Sequence, residues 1–200
     1  MIKFDKKIIV KNINFSLKKG EYLVLTGPNG SGKSSILKAI LCLIPKNIKG
    51  SISFNIDKKD ISYLSQNNKI PLFFNASVKE IIMSGNQIPY KNMFFYNKND
   101  YEKYKEIVKL LEIENIVDIP FKKISKGQQQ KALLARAFCK IPKLIFLDEP
   151  CSFLDEKSIN KVYKIINIFN KKKLMTVFII SHDLENIKKY NNNIKEIKLK

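Results

Sequence analysis

A short glycine-rich stretch has the residue types and spacing that bind phosphate. Residues 27–34 are Gly-Pro-Asn-Gly-Ser-Gly-Lys-Ser, the pattern G-x-x-x-x-G-K-[ST]. Its glycines let the backbone turn tightly and point successive N–H groups at phosphate oxygens, where a Cβ would obstruct. Lys33 offers a positive charge to the β- and γ-phosphates, and the Ser34 hydroxyl is a ligand that magnesium accepts. The stretch predicts a nucleotide site.

Two adjacent carboxylates follow an apolar segment much later in the chain. Residues 144–147 are Leu-Ile-Phe-Leu, and Asp148 and Glu149 come next. Asp148 is suited to the shell of a magnesium ion and Glu149 to polarising an attacking water, although paired acids at a strand end also cap helices. Gln66 follows the predicted strand 61–64 and could reach the metal and the water; alone it would be an ordinary surface glutamine.

Two further segments place polar groups where ligands bind. His182 is the only histidine, and it follows the apolar segment 177–180. A lone histidine is commonly structural, but the carboxyl edge of a parallel sheet is where such sheets bind ligands. Ser125 and Gly127 precede a predicted helix; they can present a hydroxyl and an N–H to a phosphate, or simply cap the helix.

The hydrophobic pattern predicts the elements that position these side chains. Alternating apolar and polar residues predict half-buried strands at 1–4, 8–17, 52–54 and 61–64. The uniformly apolar segments 22–25, 144–147 and 177–180 are typical of parallel strands covered on both faces. Helical spacing predicts helices at 36–43, 77–83, 101–111, 128–138 and 155–169. The strand, helix, strand order predicts right-handed crossovers and a parallel core sheet.

Length and composition bound the domain organisation. With 200 residues we expect one domain, 1–200, with a helical subdomain inserted at roughly 67–140. No apolar run approaches the roughly 18 residues of a membrane span, and no signal peptide is recognisable. Three cysteines without a C-x-x-C pair suit a reducing compartment, so we expect a cytoplasmic chain.

The net charge of +19 would suit a nucleic-acid partner. However, the basic residues are scattered lysines apart from Arg136, whereas arginine is the favoured bidentate reader of bases. We therefore expect a solvated or membrane-facing basic surface and no nucleic-acid partner.

In their order along the chain, these segments resemble the ATP-binding cassette (ABC) family. By that resemblance, 27–34 is the Walker A loop, Gln66 the Q-loop residue, 125–128 the signature sequence, Asp148 and Glu149 the Walker B pair, 152–155 the D-loop and His182 the switch histidine. The implied nucleotide-binding residues are Phe4, which stacks on adenine, and Gly27, Pro28, Asn29, Gly30, Ser31, Gly32, Lys33, Ser34, Ser35, Ser125, Gly127 and Gln128. The implied magnesium ligands are Ser34, Gln66 and Asp148, and the implied catalytic residues are Glu149, His182, Lys33 and Gln66. Lys126 stands where the family's signature has glycine.

The resemblance implies an α/β fold, the P-loop NTPase fold of the ABC ATPase type, with a mainly parallel core sheet, an antiparallel β part and a helical subdomain. It implies ATP and Mg²⁺ as cofactors, and a head-to-tail dimer with a second ABC ATPase subunit, in which ATP lies between the Walker A loop of one chain and the signature of the other. It also implies a separate integral membrane permease that holds the chain peripherally at the inner face of the cell membrane, and an extracytoplasmic substrate-binding protein.

The cargo is a finer prediction. Segments 77–85, 128–137 and 181–184 resemble importer ATPases for zinc, manganese or iron. The four adjacent apolar residues 93–96 are predicted to contact the permease or to be partly buried in the subdomain. A non-transport ABC ATPase, iron–sulfur or nucleic-acid associated, is the alternative, and a catalytically dead scaffold is disfavoured because all the expected hydrolytic residues are present.

Overall fold

The strands form two sheets in the computed structural model, which describes residues 2–4, 7–10, 13–43, 50–66, 75–86 and 96–199. An antiparallel pair joins β1 (Ile2–Phe4) to β2 (Lys7–Val10). The larger sheet contains five strands, β3 (Tyr22–Thr26), β4 (Ile61–Leu64), β5 (Leu144–Asp148), β6 (Thr176–Ile180) and β7 (Lys195–Lys198).

The order of strands in the larger sheet is β4-β5-β6-β3-β7, and every neighbouring pair is parallel. All five carboxyl ends therefore lie along one edge. The glycine-rich loop after β3, Gln66 after β4, the acids that end β5 and follow it, and His182 after β6 all come to that edge. The predicted α/β class, with a mainly parallel core sheet and an antiparallel part, is confirmed.

Six helices lie in the described residues: α1 (Lys33–Ile40), α2 (Val78–Met83), α3 (Lys98–Leu111), α4 (Lys126–Phe138), α5 (Glu156–Lys173) and α6 (Leu184–Tyr190). Side-chain caps fix several starts. Ser77, Asn97 and Ser125 each form a capping box with the residue three positions later, and Asp155 accepts a hydrogen bond from the Ser158 N–H. The helices therefore begin where local hydrogen bonds satisfy their first N–H groups.

The three inner strands, β3, β5 and β6, are buried on both faces, as their uniformly apolar sequences predict. In β3, Leu23 and Leu25 pack on one face with α1, whereas Tyr22 and Val24 face the other side with α2 to α6. Because successive strand side chains alternate in direction, one apolar strand contributes side chains to two hydrophobic cores. The sheet edge that carries the polar residues is thus supported by helices on both sides.

Two predicted strands are wrong. Residues 52–54 form no strand, and the strand predicted at 8–17 ends at Val10, with no strand in the described part 13–17. The alternation instead places single rings on the sheet: Phe15 packs on Phe178 with ring centroids 5.7 Å apart, and Phe54 on Phe146 at 6.5 Å. The alternating pattern therefore indicated side chains that contact the core, although the backbone forms no strand in these segments.

The inserted region contains α2, α3 and part of α4, which pack on one another. Gly85, in the turn after α2, sets how closely that turn approaches α4, since a Cβ there would clash with the Arg136 carbonyl oxygen. The boundaries of the predicted helical subdomain remain a prediction. Among the described residues, no helix combines the length and the apolar character needed to span a bilayer.

Candidate nucleotide-hydrolysis site

A cavity of about 650 Å³ opens at the carboxyl edge of the large sheet. It is lined by Asn29, Gly30, Gly32, Lys33, Ser34, Ser35, Gln66, Asp148, Glu149, Ser152, Ile180 and His182. These residues come from the carboxyl ends of β5 and β6, from the loops that follow β3, β4, β5 and β6, and from the first turn of α1. The four segments chosen from sequence for phosphate, magnesium and water chemistry therefore meet in one place.

The glycine-rich loop wraps around the side chain of its own lysine. Lys33 is only 7 % exposed, and its Nζ donates hydrogen bonds to the carbonyl oxygens of Gly27 at 2.8 Å and Pro28 at 2.9 Å. Gly30 and Gly32 have φ of 82° and 92°, a left-handed conformation that glycine adopts without a steric penalty. The ammonium is thus held at the start of α1, where the helix dipole also favours an anion.

Asp148 lies deep in the cavity with an unsatisfied oxygen. It is 2 % exposed, and its Oδ1 has no hydrogen-bond partner in the described structure. Burial raises the pKa of the Asp148 carboxyl, while a hydrogen bond from the Ser34 side chain and the nearby Lys38 and Lys33 charges act in the opposite direction. A buried carboxylate oxygen beside a hydroxyl is an oxygen donor set that suits magnesium. Gln66, exposed, lies on the rim of the same cavity.

Glu149 faces His182 across the cavity. The His182 Nε2 lies 3.2 Å from the Glu149 Oε1, with side chains 51 % and 21 % exposed. Burial raises the pKa of the Glu149 carboxyl; the neighbouring His182 lowers it, and the Asp148 charge raises it. Glu149 has a left-handed φ of 49°, which its N–H stabilises by donating to the Ile180 carbonyl at 3.0 Å. The carboxylate is therefore positioned by both β5 and β6.

The predicted signature residues lie outside the cavity of this single chain. Ser125 caps α4: its Oγ accepts from the Gln128 N–H at 3.2 Å, and its own N–H donates to the Gln128 Oε1 at 3.0 Å. Gly127 packs under the following loop, since a Cβ there would lie 2.9 Å from the Phe153 carbonyl oxygen. The structure thus does not bring Ser125, Gly127 and Gln128 together with Lys33 in one chain.

Other predicted contacts fall where side chains are not described. Phe4 lies in β1, with its side chain outside the described part, and residues 93–95 also lie outside it. Tyr96 is half-buried, with its ring edge-on to Tyr101 at 6.3 Å. The adenine and permease contacts therefore stay predictions.

Two residues that support the cavity had no predicted role there: Ser152 was placed only in the D-loop, and Gln130 was not singled out. Ser152 lines it, and its Oγ donates to the Glu149 carbonyl oxygen at 2.9 Å. Gln130 is 6 % exposed and donates from Nε2 to the Pro150 carbonyl oxygen at 2.7 Å, which ties α4 to the loop after Glu149. Gln130 could have been found from the sequence, because it is a polar residue on the apolar face of α4 and a buried polar group needs a hydrogen-bond partner.

A parallel sheet with a phosphate loop between an inner strand and the next helix defines the class of P-loop nucleotide-binding proteins. Comparison with known proteins narrows this class. The family model described as ABC transporter matches residues 10–152.

Curated relatives give the same result. The zinc uptake system ATP-binding protein ZurA of Listeria monocytogenes is 35 % identical over 204 residues, covering 97 % of this chain and 78 % of that protein. The manganese transport system ATP-binding protein MntB of Halalkalibacterium halodurans is 31 % identical over 199 residues, covering 96 % and 77 %. The chain therefore belongs to the ABC transporter family, and it is an ATP-binding, ATP-hydrolysing subunit of such a transporter.

A solved structure extends the comparison to the fold. The ATP-binding cassette MJ0796, described as a dimer in a post-hydrolysis state bound to ADP and Pi, has a TM-score of 0.76 and 27 % identity. The match covers 99 % of this chain and 90 % of that one. The P-loop fold of the ABC ATPase type, predicted from sequence, is confirmed.

Proposed function

We propose that this chain hydrolyses ATP in the cavity between the glycine-rich loop, Asp148, Glu149 and His182, and that this hydrolysis powers metal-ion import. The observation that carries the site assignment is the convergence of the four loops on one cavity of about 650 Å³. Catalysis of phosphoryl transfer to water consists mainly of positioning and electrostatic stabilisation, which such an arrangement supplies.

Each side chain has a distinct role in this proposal. Glu149 accepts a proton from the attacking water at a carboxylate oxygen, and His182 orients both Glu149 and the γ-phosphate. Lys33 leaves the carbonyls of Gly27 and Pro28 to bind the β- and γ-phosphates, while the backbone N–H groups of 29–35 surround them. Phe4 stacks on adenine.

Mg²⁺ fits the donor set. Ser34 and Asp148 would hold it, with Gln66 completing the ligands from the rim; the unpartnered Asp148 Oδ1 supports this assignment. When bound, the ion would offset negative charge on the phosphates.

The second copy of the chain completes the site. Ser125, Gly127 and Gln128 cap a helix whose N-terminus is a suitable phosphate donor, yet they lie outside the cavity in one chain. We infer that they bind the γ-phosphate of a nucleotide held by the partner, in a head-to-tail dimer. The dimeric state of the MJ0796 cassette with ADP and Pi supports this arrangement.

The proposal extends to the transport partner and the cargo. A separate permease would hold the dimer at the cytoplasmic face of the membrane, and an extracytoplasmic binding protein would deliver the cargo. The relatives named for zinc uptake and for manganese transport support a divalent transition-metal ion as that cargo.

Metal uptake by cells tests this proposal. Cells that lack the chain should lose uptake of radioactive zinc or manganese, and expression of the wild-type chain should restore it. The variant Glu149→Gln, expressed at the same level, should not. Unchanged uptake of zinc, manganese and iron in cells without the chain would contradict metal import while leaving the ATPase itself intact.

A further inference from the structure

A buried tyrosine lies beneath the turn that carries His182. Tyr163, in the middle of α5, is 2 % exposed, and its hydroxyl lies 2.9 Å from the Ser181 Oγ. Ser181 is also 2 % exposed and directly precedes His182. Because a buried hydroxyl without a partner is costly, this hydrogen bond fixes the position of Ser181 relative to α5.

The Ser181 hydroxyl in turn holds the backbone around His182. It accepts a hydrogen bond from the Asp183 N–H at 3.0 Å, which closes a tight turn over the histidine. Asp183 is itself fixed as the N-cap of α6, because its Oδ1 accepts from the Asn186 N–H at 3.2 Å. Both neighbours of His182 are therefore anchored, whereas its half-exposed ring is held by the single contact with Glu149 that the structure records among the described residues.

Tyr163 also borders the loop that follows Glu149. Burial raises the pKa of the Cys151 thiol to about 12, and a hydrogen bond from the Tyr163 side chain acts in the opposite direction. One tyrosine thus packs under the loop after β5 and the loop after β6. These are the loops that carry Glu149 and His182.

We propose that Tyr163 is a positioning residue for ATP hydrolysis: through Ser181 it sets the place of His182 relative to Glu149. This inference rests on the proposed roles of Glu149 and His182. Tyr163 touches neither nucleotide nor water in this scheme, so its loss should impair the orientation of the His182 ring rather than nucleotide binding.

The variant Tyr163→Phe removes the hydroxyl and keeps the ring in the core. The matched control is Tyr190→Phe, which removes a hydroxyl that donates at 3.0 Å to the Oδ1 of Asn160, a residue of α5 away from the cavity. Phosphate release from ATP, affinity for a fluorescent ATP analogue and thermal unfolding are measured for both. For Tyr163→Phe we expect kcat to fall about two- to tenfold, with KM and nucleotide affinity within about twofold of wild type. Tyr190→Phe should leave kcat unchanged.

Tyr163→Phe in a His182→Ala background tests whether the Tyr163 hydroxyl acts through His182. If Tyr163 acts through His182, then Tyr163→Phe should change kcat of His182→Ala by less than about 1.5-fold, since interacting residues are not additive. An equal loss in both backgrounds would overturn the proposal and indicate a structural role for the hydroxyl. A fall in the melting temperature of Tyr163→Phe with kcat unchanged would also overturn the proposal.

The positioning role of Tyr163 and the catalytic role of His182 can be tested separately. If His182→Ala lowers kcat but Tyr163→Phe does not, the positioning role is wrong and the catalytic role of His182 stands. If His182→Ala itself leaves kcat unchanged, both are wrong. Ser181→Thr, which keeps a hydroxyl, should retain more activity than Ser181→Ala; equal activity would also contradict the positioning role.

Discussion

Lys33, the residue that we propose binds phosphate, is held in place by its own loop. Its ammonium is buried and donates to two carbonyl oxygens of its own loop. In the proposed function, binding of ATP exchanges these carbonyl partners for negatively charged phosphate oxygens. The ammonium makes charge-assisted hydrogen bonds with either partner, but only the phosphate adds attraction between opposite charges, so the exchange favours the nucleotide.

Lys33→Ala should weaken ATP binding or abolish it. Loss of a hydrogen bond to a charged group costs about 1.5 to 3 kcal/mol, which corresponds to a rise in Kd of about 10- to 150-fold. Titration with a fluorescent ATP analogue measures the change. Lys164→Ala, on an exposed position of α5, is the control and should bind as wild type does. Equal affinity of the two variants would place the nucleotide elsewhere.

The acid limb of the ATPase pH profile should report Glu149. Burial raises the pKa of this carboxyl above its ordinary value of 4.5, and a base must be ionised to accept a proton. We therefore expect kcat to decrease as the pH is lowered through that raised pKa. Glu149→Gln should lower kcat by about 10²- to 10⁴-fold and remove this limb. A profile that keeps the same acid limb in the variant would assign it to another group.

The same carboxyl should reduce stability at neutral pH. A carboxyl whose pKa is raised on folding contributes stability only at low pH, and that contribution is lost as the pH rises through the folded pKa. Glu149→Gln should therefore melt at a higher temperature than wild type at pH 7, with the difference shrinking in acid. A lower melting temperature at pH 7 would show that Glu149 is stabilised by its partners instead.

At the scale of single residues, the sequence predicted the residues suited to chemistry better than it predicted their contacts with one another. Residue type and spacing predicted the glycine-rich loop, the acids after β5 and the histidine after β6. The left-handed backbone of Glu149 and the bond between Tyr163 and Ser181 depend on packing between segments far apart in the chain. Tyr163 has the spacing of an ordinary core residue of α5, so the sequence carried no signal of its polar role.

At the scale of elements, burial decided which patterns became secondary structure. The strands β3, β5 and β6 were predictable because their uniformly apolar sequences permit only a covered position. Helix α6 was not predicted, since it contains seven residues and only one buried side chain, Ile187. Segment 52–54 has a strand-like pattern, yet Ile52 and Phe54 are 42 % and 38 % exposed, which reflects the lack of a pairing strand among the described residues.

Because α4 packs closely against the loop after β5, we expect Gly127→Ala to lower the stability of the protein. In an unobstructed helix, Gly127→Ala would stabilise the protein by up to about 1 kcal/mol. Here the new Cβ would meet the Phe153 carbonyl oxygen at 2.9 Å, so the loop must shift. We expect Gly127→Ala to destabilise by about 1 to 2 kcal/mol in denaturant unfolding and to slow ATP hydrolysis.

Lys126→Ala is the matched control for that substitution. Lys126 is the exposed neighbour at the first position of α4, so its replacement should change stability by less than about 0.5 kcal/mol. Its exposure also favours an unchanged ATPase rate in Lys126→Gly. If Gly127→Ala stabilised the protein, the close approach of α4 to the loop would be wrong.

At the scale of the whole molecule, the charge is large but dispersed. The chain has 37 basic and 18 acidic residues, and the lysines of the short runs 122–123 and 171–173 are all exposed. Salt bridges among the described residues are mostly at the surface, where such pairs contribute little. The charge distribution therefore fits the prediction of a solvated basic surface better than a dedicated anion-binding groove.

The proposed division of the site between two chains is supported by the sequence and by the single-chain structure. Order along the chain predicted the signature residues, and the fold leaves them outside the cavity. Whether they serve a second copy is a question for complementation between two defective chains.

Mixing Lys33→Ala with Ser125→Asp tests this most directly. Aspartate remains a good helix cap, so α4 should form, while its charge should repel the phosphate of a partner-bound nucleotide. Each variant alone should release little phosphate from MgATP. In an equal mixture, about half of the dimers would be mixed, each with one intact site, so we expect recovery of up to about a quarter of wild-type activity. A mixture no more active than the separate variants, or a fully active Ser125→Asp chain, would contradict hydrolysis at a site shared between two copies.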